Sequence, residues 1–330
     1  MARILLIGHS NKLNQASPLA DALRQVGFEC HEIIIPYGNR WSTFKAILGK
    51  NLTLSYYDAV ISNEYNMAFG ISLKLLFTSK RPKNIVIGLN ISSKPIATKI
   101  QLIDFFINKI WNLIDLVIVH SRAEIKIFKD LHKIKKSKFK FSAWGFDLPL
   151  EAKKSSTFTI PNAPYFCMIG RNNRDFDTFL QALKIIQCKG VIVCSSNEEI
   201  ADYDANLITI YRDLSMEDCI TCVRHSIGNV LLVKDANRGA GHITAVMGMF
   251  LAKPHIFTDV STIQDYLQHD FSGIGVQAAS VDAVAYAMRI IIENKELAMK
   301  LGENGRTFAE KELSHTAALL RIVALVRDVI

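Results

Sequence analysis

The run Tyr165-Phe-Cys-Met-Ile-Gly-Arg-Asn-Asn-Arg-Asp-Phe-Asp-Thr-Phe-Leu-Gln-Ala-Leu183 sets the architecture of this chain. It opens on a short apolar strand, Tyr165–Ile169, passes through a polar loop with two arginines, and enters an apolar-periodic helix. A second stretch repeats the plan. Gly239-Ala-Gly-His-Ile-Thr-Ala-Val-Met-Gly-Met-Phe-Leu-Ala-Lys-Pro-His-Ile-Phe-Thr-Asp259 is a Gly-rich loop, a helix, a Lys-Pro break and another strand. Each stretch has a loop leading into a helix, and the first N–H groups of a helix lack intrahelical partners and favour an anion. Together the two junctions predict a clamp for a nucleotide diphosphate.

The same rhythm extends outward in both directions. Gly190–Cys194, Leu207–Tyr211, Asn229–Val233, His255–Thr258 and Gly275–Val276 also read as strands. In the first half, Ala2–Gly8, Glu29–Ile35, Asp58–Ser62, Asn84–Gly88, Asp115–Val119 and Phe139–Ala143 do the same. Helices alternate with them, including Ala123–Leu131 and Pro18–Val26, the latter with Ser17 as cap and Pro18 at its first position. Continuous apolar strands alternating with helices make parallel sheets covered on both faces. Lys153–Pro164 is polar and proline-bearing and fits a linker. The expected fold is therefore α/β: two Rossmann-like, doubly wound parallel-sheet domains facing a cleft. Residues 1–150 form the first domain, 151–315 the second, and 316–330 a C-terminal helix.

Hydrophobic content of 49% and charged content of 21% are those of a globular protein. The net charge of +8 is unevenly placed. Residues 1–150 hold 21 Lys+Arg against 10 Asp+Glu, a balance of +11, whereas 151–330 hold 18 against 21, a balance of −3. Such a first half faces something anionic: nucleic acid, an acidic membrane surface or a phosphorylated acceptor. Nucleic acid is set aside, because no standard binding motif and no aromatic-studded basic strand surface is present. Arg3–Gly8 is too short for a secretory leader. Leu102–Val119 is interrupted by Asp104, Lys109 and Asp115, which argues against a membrane span.

Six cysteines without a framework spacing suit a reducing cytoplasm. Cys219-Ile-Thr-Cys222, with His225 nearby, lacks a fourth ligand and reads as two half-buried thiols on a helix. Ile100, Ile103, Phe106, Ile107, Ile110 and Ile114 share one helical face. Burial against the sheet explains that stripe. The alternative is an interfacial helix helped by Lys74, Lys80, Arg81, Lys83 and Lys94.

Candidate site residues follow from strand ends. Gly170 permits a tight turn, and Arg171 and Arg174 offer charged forks for phosphate oxygens. Asp175 either caps the next helix or orients an arginine. Gly239 and Gly241 permit close backbone approach, with Ile243 in the same helix start and Thr244 a hydroxyl donor. His242 either bonds a phosphate or caps. At the ends of first-half strands, His9 and Glu64 are the candidate general bases, and His120 reads as structural.

These residues resemble the nucleotide-binding domain of GT-B glycosyltransferases. The resemblance runs through Gly170-Arg171, Arg174-Asp175-Phe176, Gly241–Thr244, Met249-Phe-Leu-Ala-Lys253-Pro254, Thr258-Asp259, Asp265-Tyr266-Leu267 and Glu296–Gly302. It covers nearly the whole chain and is most specific from about residue 164 to 310. It implies that Gly170, Arg171 and Arg174 grip a donor diphosphate from one side, and Gly239, Gly241, His242, Ile243 and Thr244 from the other. It also implies that the C-terminal helix crosses back to the first domain. One departure stands out. The retaining branch of the family carries a spaced pair of glutamates; Met247 occupies the second position here, and the first falls near Gly239. Inversion is favoured accordingly, with Asp235, Asn237 and Arg238 as substitutes for the missing contacts. The implied function is metal-independent glycosyl transfer, with no cofactor beyond the nucleotide sugar and UDP ahead of GDP. The implied acceptor is an anionic or lipid-linked glycan in polysaccharide or glycoconjugate synthesis, handled in the cytoplasm or peripherally at an anionic membrane surface. A nucleotide-sugar epimerase and a non-catalytic nucleotide-sugar-binding subunit are the alternatives.

Overall fold

A computed structural model describes residues 1–9, 17–36, 40–89, 101–132, 134–149, 159–200, 202–237 and 239–330. The chain divides into two units: residues 1–143 with 318–330, and residues 144–317. In the first unit the order is β1 (Arg3–His9), α1 (Pro18–Gln25), β2 (Glu29–Ile35), α2 (Arg40–Gly49), β3 (Ala59–Asn63), α3 (Tyr65–Leu75), β4 (Lys83–Ile87), α4 (Gln101–Trp111), β5 (Leu116–Val119), α5 (Arg122–His132) and β6 (Phe139–Phe141). Its six strands are parallel and lie in the order β2-β1-β3-β4-β5-β6.

The second unit contains β7 (Tyr165–Ile169), α6 (Phe176–Ile186), β8 (Lys189–Cys194), β9 (Ile208–Arg212), α7 (Met216–His225), β10 (Gly228–Leu231), α8 (His242–Phe250), β11 (His255–Thr258), β12 (Gly273–Val276), α9 (Val281–Glu293) and α10 (Lys295–Glu312). Its parallel order is β12-β11-β10-β7-β8-β9. The final helix, α11 (His315–Arg327), sends Ile322, Val323 and Val326 into the cluster of Ile4, Leu6 and Leu23 under the first sheet. Each sheet is the doubly wound α/β arrangement expected from the apolar runs.

Burial explains why these runs are strands. Ile4 to Ile7, Ile85 and Val86, and Leu116 to Val119 are at most 4% exposed, so both faces of each strand are covered. Each such side chain contributes about 1.5–3 kcal/mol on leaving water. Ser17 precedes α1 without capping it through its side chain; its N–H instead donates to Glu32 Oε2 at 2.8 Å. On α4, Ile110 and the following Ile114 are buried and Ile107 packs against the same cluster, while Phe106 is 53% exposed. From Ile107 to Ile114 that helix face belongs to the core. Lys94, Ile100, Arg238 and the linker residues 153–158 lie outside the described residues, as does the side chain of Ile103.

Cys219 and Cys222 are buried beside Cys167 in one apolar cluster. Burial pushes the Cys219 thiol up to about 12 and the Cys167 thiol well above its usual range. They remain neutral thiols at ordinary pH. Among the described residues no group of three or more His, Cys, Asp or Glu side chains is arranged to hold a metal ion. Among them, too, no helix is long and apolar enough to cross a membrane.

Candidate functional site

Both sheets reverse their winding at a switch point, and parallel α/β domains take ligands at the carboxyl ends of the strands there. In the second sheet the reversal lies between β7 and β10. The loops leaving those two strands are the two stretches singled out above. They are tied to each other. Asn173 Nδ2 donates to the Asp235 carbonyl at 2.9 Å, and the Asp235 N–H donates back to Asn173 Oδ1 at 2.7 Å. The Asp175 N–H donates to the Leu232 carbonyl at 3.1 Å. The Asp235 carboxylate accepts the Asn237 N–H at 2.9 Å and so shapes its own turn.

The two arginines of the first loop part company. Arg174 is 6% exposed and folds back over Gly170, where any Cβ would collide with it. Its Nε donates to the Ile169 carbonyl and its Nη1 to the Asn172 carbonyl, each at 3.0 Å. It holds the loop from inside. Arg171 is the exposed member. Asp175 is a cap: Oδ1 accepts the Thr178 N–H at 3.2 Å and Oδ2 the Thr178 hydroxyl at 2.7 Å.

The second loop, through half-buried Gly239, delivers the start of α8. Gly241 precedes it with φ +92°, and a side chain there would run into Leu231. No side chain caps α8, and no acidic residue sits in its first turn. Helices α6, α7, α9 and α10 are instead capped by Asp175, Ser215, Ser280 and Asn294. The Ile243 and Thr244 N–H groups, with the positive end of the helix dipole, therefore suit an anion. Ile243 is 41% exposed, whereas Thr244 is buried with its hydroxyl 3.5 Å from the Ile169 carbonyl. His242 Nε2 lies 3.0 Å from the Thr262 carbonyl, so that nitrogen carries the hydrogen, and the ring stacks on Tyr266. Met247 is buried in an apolar cluster with Cys167 and Ile169.

Two residues that sequence reasoning passed over anchor α8 from below. Asn229 of β10 and His255 of β11 are both fully buried. Asn229 Nδ2 donates to the Thr244 carbonyl at 3.1 Å, and His255 Nε2 to the Ala245 carbonyl at 3.2 Å. Gly248 makes the approach possible, since a Cβ there would lie 2.5 Å from Asn229 Nδ2. The available signal was a polar residue near the start of two otherwise apolar strands.

Burial pushes His255 down to about 4 from its ordinary 6.5. The unfolded chain therefore takes up a proton as pH falls through 6.5, and the native state does not until about 4. Stability should fall through that window as acid is added, by about 3 kcal/mol in full. Denaturant melts across the window check this, and His255→Gln should flatten the acid limb.

In the first sheet the reversal lies between β1 and β3. His9 ends β1, and Glu64 directly follows β3. Their side chains meet, with His9 Nε2 3.4 Å from Glu64 Oε2. His9 Nδ1 lies 2.8 Å from the Ile35 carbonyl, which can only accept. Nδ1 therefore carries a hydrogen, and Nε2 is the nitrogen that faces the carboxylate. The His9 side chain is 5% exposed and that of Glu64 38%, so the carboxylate is the solvent-facing member.

Glu64 has φ +68° and ψ 157°, a conformation that glycine alone adopts without strain. Its N–H donates to the Gly88 carbonyl at 3.2 Å, and its carbonyl accepts from Ala68 at 3.1 Å, which pins the backbone there. His120 donates from Nδ1 to the Ser142 carbonyl at 3.0 Å, and its N–H donates to Glu124 Oε2 at 3.1 Å. Burial pushes its pKa below the usual value.

No family model matches the sequence, and no curated protein matches it. Solved structures do. A sucrose-phosphate synthase from Thermosynechococcus elongatus is similar with a TM-score of 0.74 at 17% identity, over 99% of both chains. A glycosyltransferase from Rickettsia africae gives a TM-score of 0.73 at 14% identity, over 99% of this chain and 98% of that one. Anabaena HepE in complex with UDP-glucose gives 0.72 at 13% identity, over 99% of this chain and all of the other. At such identities the likeness concerns architecture. With two six-stranded parallel sheets flanked by helices, this chain has the GT-B fold of those glycosyltransferases.

Proposed function

We propose that this chain is a metal-independent, inverting glycosyltransferase. Its donor is a nucleotide-diphosphate sugar, UDP-linked ahead of GDP-linked. Its acceptor is an anionic or lipid-linked glycan in polysaccharide or glycoconjugate synthesis, reached in the cytoplasm or peripherally at an anionic membrane surface. One observation carries the reading. Two switch-point loops are hydrogen-bonded together around α8, whose start has neither a side-chain cap nor an acidic residue. HepE of the same fold has been crystallised with UDP and with UDP-glucose, which supports a uridine donor.

The roles divide by unit. In the second, the Ile243 and Thr244 N–H groups and the Arg171 guanidinium hold the diphosphate and stabilise the charge it gains on leaving. Asp235, Gly239 and His242 shape the loop and helix start, and Gly170 and Arg174 hold the opposite loop. In the first, Glu64 takes the acceptor hydroxyl's proton as that oxygen bonds to the anomeric carbon. The bond from that carbon to the diphosphate breaks, and the diphosphate leaves with the electron pair. His9, behind Glu64, orients the carboxylate and shares the proton it receives. Inversion is supported by the first position of the glutamate pair, which falls near Gly239 and carries no carboxylate to meet the donor sugar; Met247 takes the place of the second, the ribose contact.

Thermal-shift measurement with UDP, GDP, ADP and CMP tests the reading, because a ligand that binds only the native state stabilises it. UDP should give the largest shift. Arg171→Ala should weaken UDP binding by about 10- to 100-fold, the loss of a charged hydrogen bond of about 1.5–3 kcal/mol, with the melting point of the free protein unchanged. Unchanged UDP affinity in that variant removes Arg171 from the diphosphate. UDP-sugar bound without turnover favours a binding subunit, and interconversion of the donor sugar favours an epimerase.

A further inference from the structure

The amino-terminal edge of the first sheet lies opposite to His9 and Glu64. There the loops entering β4, β5 and β6 are gathered by their own cations. Arg81 Nη1 donates to the Leu113 carbonyl at 2.8 Å, and Lys138 Nζ to the Asn112 and Ile114 carbonyls at 2.8 and 2.7 Å. Segment 74–83 holds four cations and no acid, and so does 134–140. Two carboxylates, Asp58 and Asp115, lie against Lys80 and Arg81 at 3.9 and 3.1 Å. Phe77 stands beyond the end of α3, among these lysines, and is 85% exposed. A single exposed ring is ordinary on a protein surface, but one set between Lys74 and Lys80 has the pairing of apolar and cationic groups that an interfacial face uses.

We propose that this amino-terminal edge of the first sheet docks on an anionic lipid bilayer. Phe77 enters the headgroup layer, and Lys80, Lys83, Lys135 and Lys136 lie against the lipid phosphates. The partner extends the functional reading above but does not depend on the donor site. Docking in this sense points the carboxyl edge, with Glu64, away from the bilayer, by about the height of the sheet, roughly 15–25 Å for strands of these lengths. An acceptor anchored in the same membrane would then need a head group long enough to span that height.

Co-sedimentation of the full chain with phosphatidylglycerol–phosphatidylcholine vesicles, against phosphatidylcholine alone, tests this. Binding should require the anionic lipid and weaken with added salt. Joint replacement of Lys80, Lys83, Lys135 and Lys136 by Glu should lower partitioning by about a hundredfold or more. Phe77→Ser should lower it by about tenfold without any change in charge. The melting temperature of each variant without ligand reports a folded protein and isolates this result from the donor reading. Equal binding to both vesicle types, no binding to either, or Phe77→Ser indistinguishable from the parent would overturn the proposal. Capture of duplex DNA in place of vesicles, lost in the lysine variant, would overturn it in favour of nucleic acid.

Discussion

Glu64→Gly should yield a protein at least as stable as the parent that turns over about 10²–10⁴-fold more slowly, the range by which a general base contributes. Opposite signs for stability and activity make this informative. The backbone at Glu64 has φ +68° and ψ 157°, which costs a residue with a side chain about 1–3 kcal/mol. Glycine relieves that strain and loses the 3.4 Å contact with His9. A purely structural Glu64 would instead lose stability on truncation and leave kcat intact in whatever remained folded. Glu64→Gln separates the two effects further, because it keeps the strain and the shape but cannot accept the proton. His9→Asn should lower kcat by less than Glu64→Gln does, because on the proposed reading His9 acts only through the carboxylate. The readout is kcat and kcat/KM across pH, set beside denaturant melts of the same preparations.

Gly241→Val should abolish detectable UDP binding and destabilise the second unit by about 2–4 kcal/mol. Two costs combine. Gly241 has φ +92°, a left-handed conformation that costs an ordinary residue about 1–2 kcal/mol, more for a β-branched one. Its side chain would also run into the buried Leu231, so Leu231 or α8 must shift to admit it. On the proposed reading, movement of α8 carries the Ile243 and Thr244 N–H groups off the diphosphate. Gly27→Ala is the control. Gly27 has φ +94° but open space around its Cβ position, so the variant should lose about 1 kcal/mol and keep its UDP affinity. Equilibrium unfolding and calorimetric titration with UDP check both variants.

Much of this fold is legible in the residues. Runs such as Leu116-Val-Ile-Val119 and Tyr165-Phe-Cys-Met-Ile169 are apolar on both faces, which only a strand covered on both sides requires. Strand ends could be read the same way, so His9, Glu64, Arg171 and Gly241 could be named from local context. What local context lacks is reach. Arg174 has the same charge as Arg171 and lies in the same loop, yet its long side chain returns to carbonyls of that loop. Asn229 and His255 sit inside strands, and their use emerges only when Gly248 of α8 comes down over them. The positive φ at Glu64 accompanies a hydrogen bond to the Gly88 carbonyl of a neighbouring loop, and no spacing in the sequence encodes it.

On the proposed reading a nucleoside diphosphate binds at the start of α8, between the two tied loops. Hydrogen–deuterium exchange of the intact protein with and without UDP measures this directly. Exchange should slow in two peptides, one covering 170–175 and one covering 239–247, and in neither for the Gly241→Val protein. Protection confined to other segments, or none at saturating UDP, would contradict it.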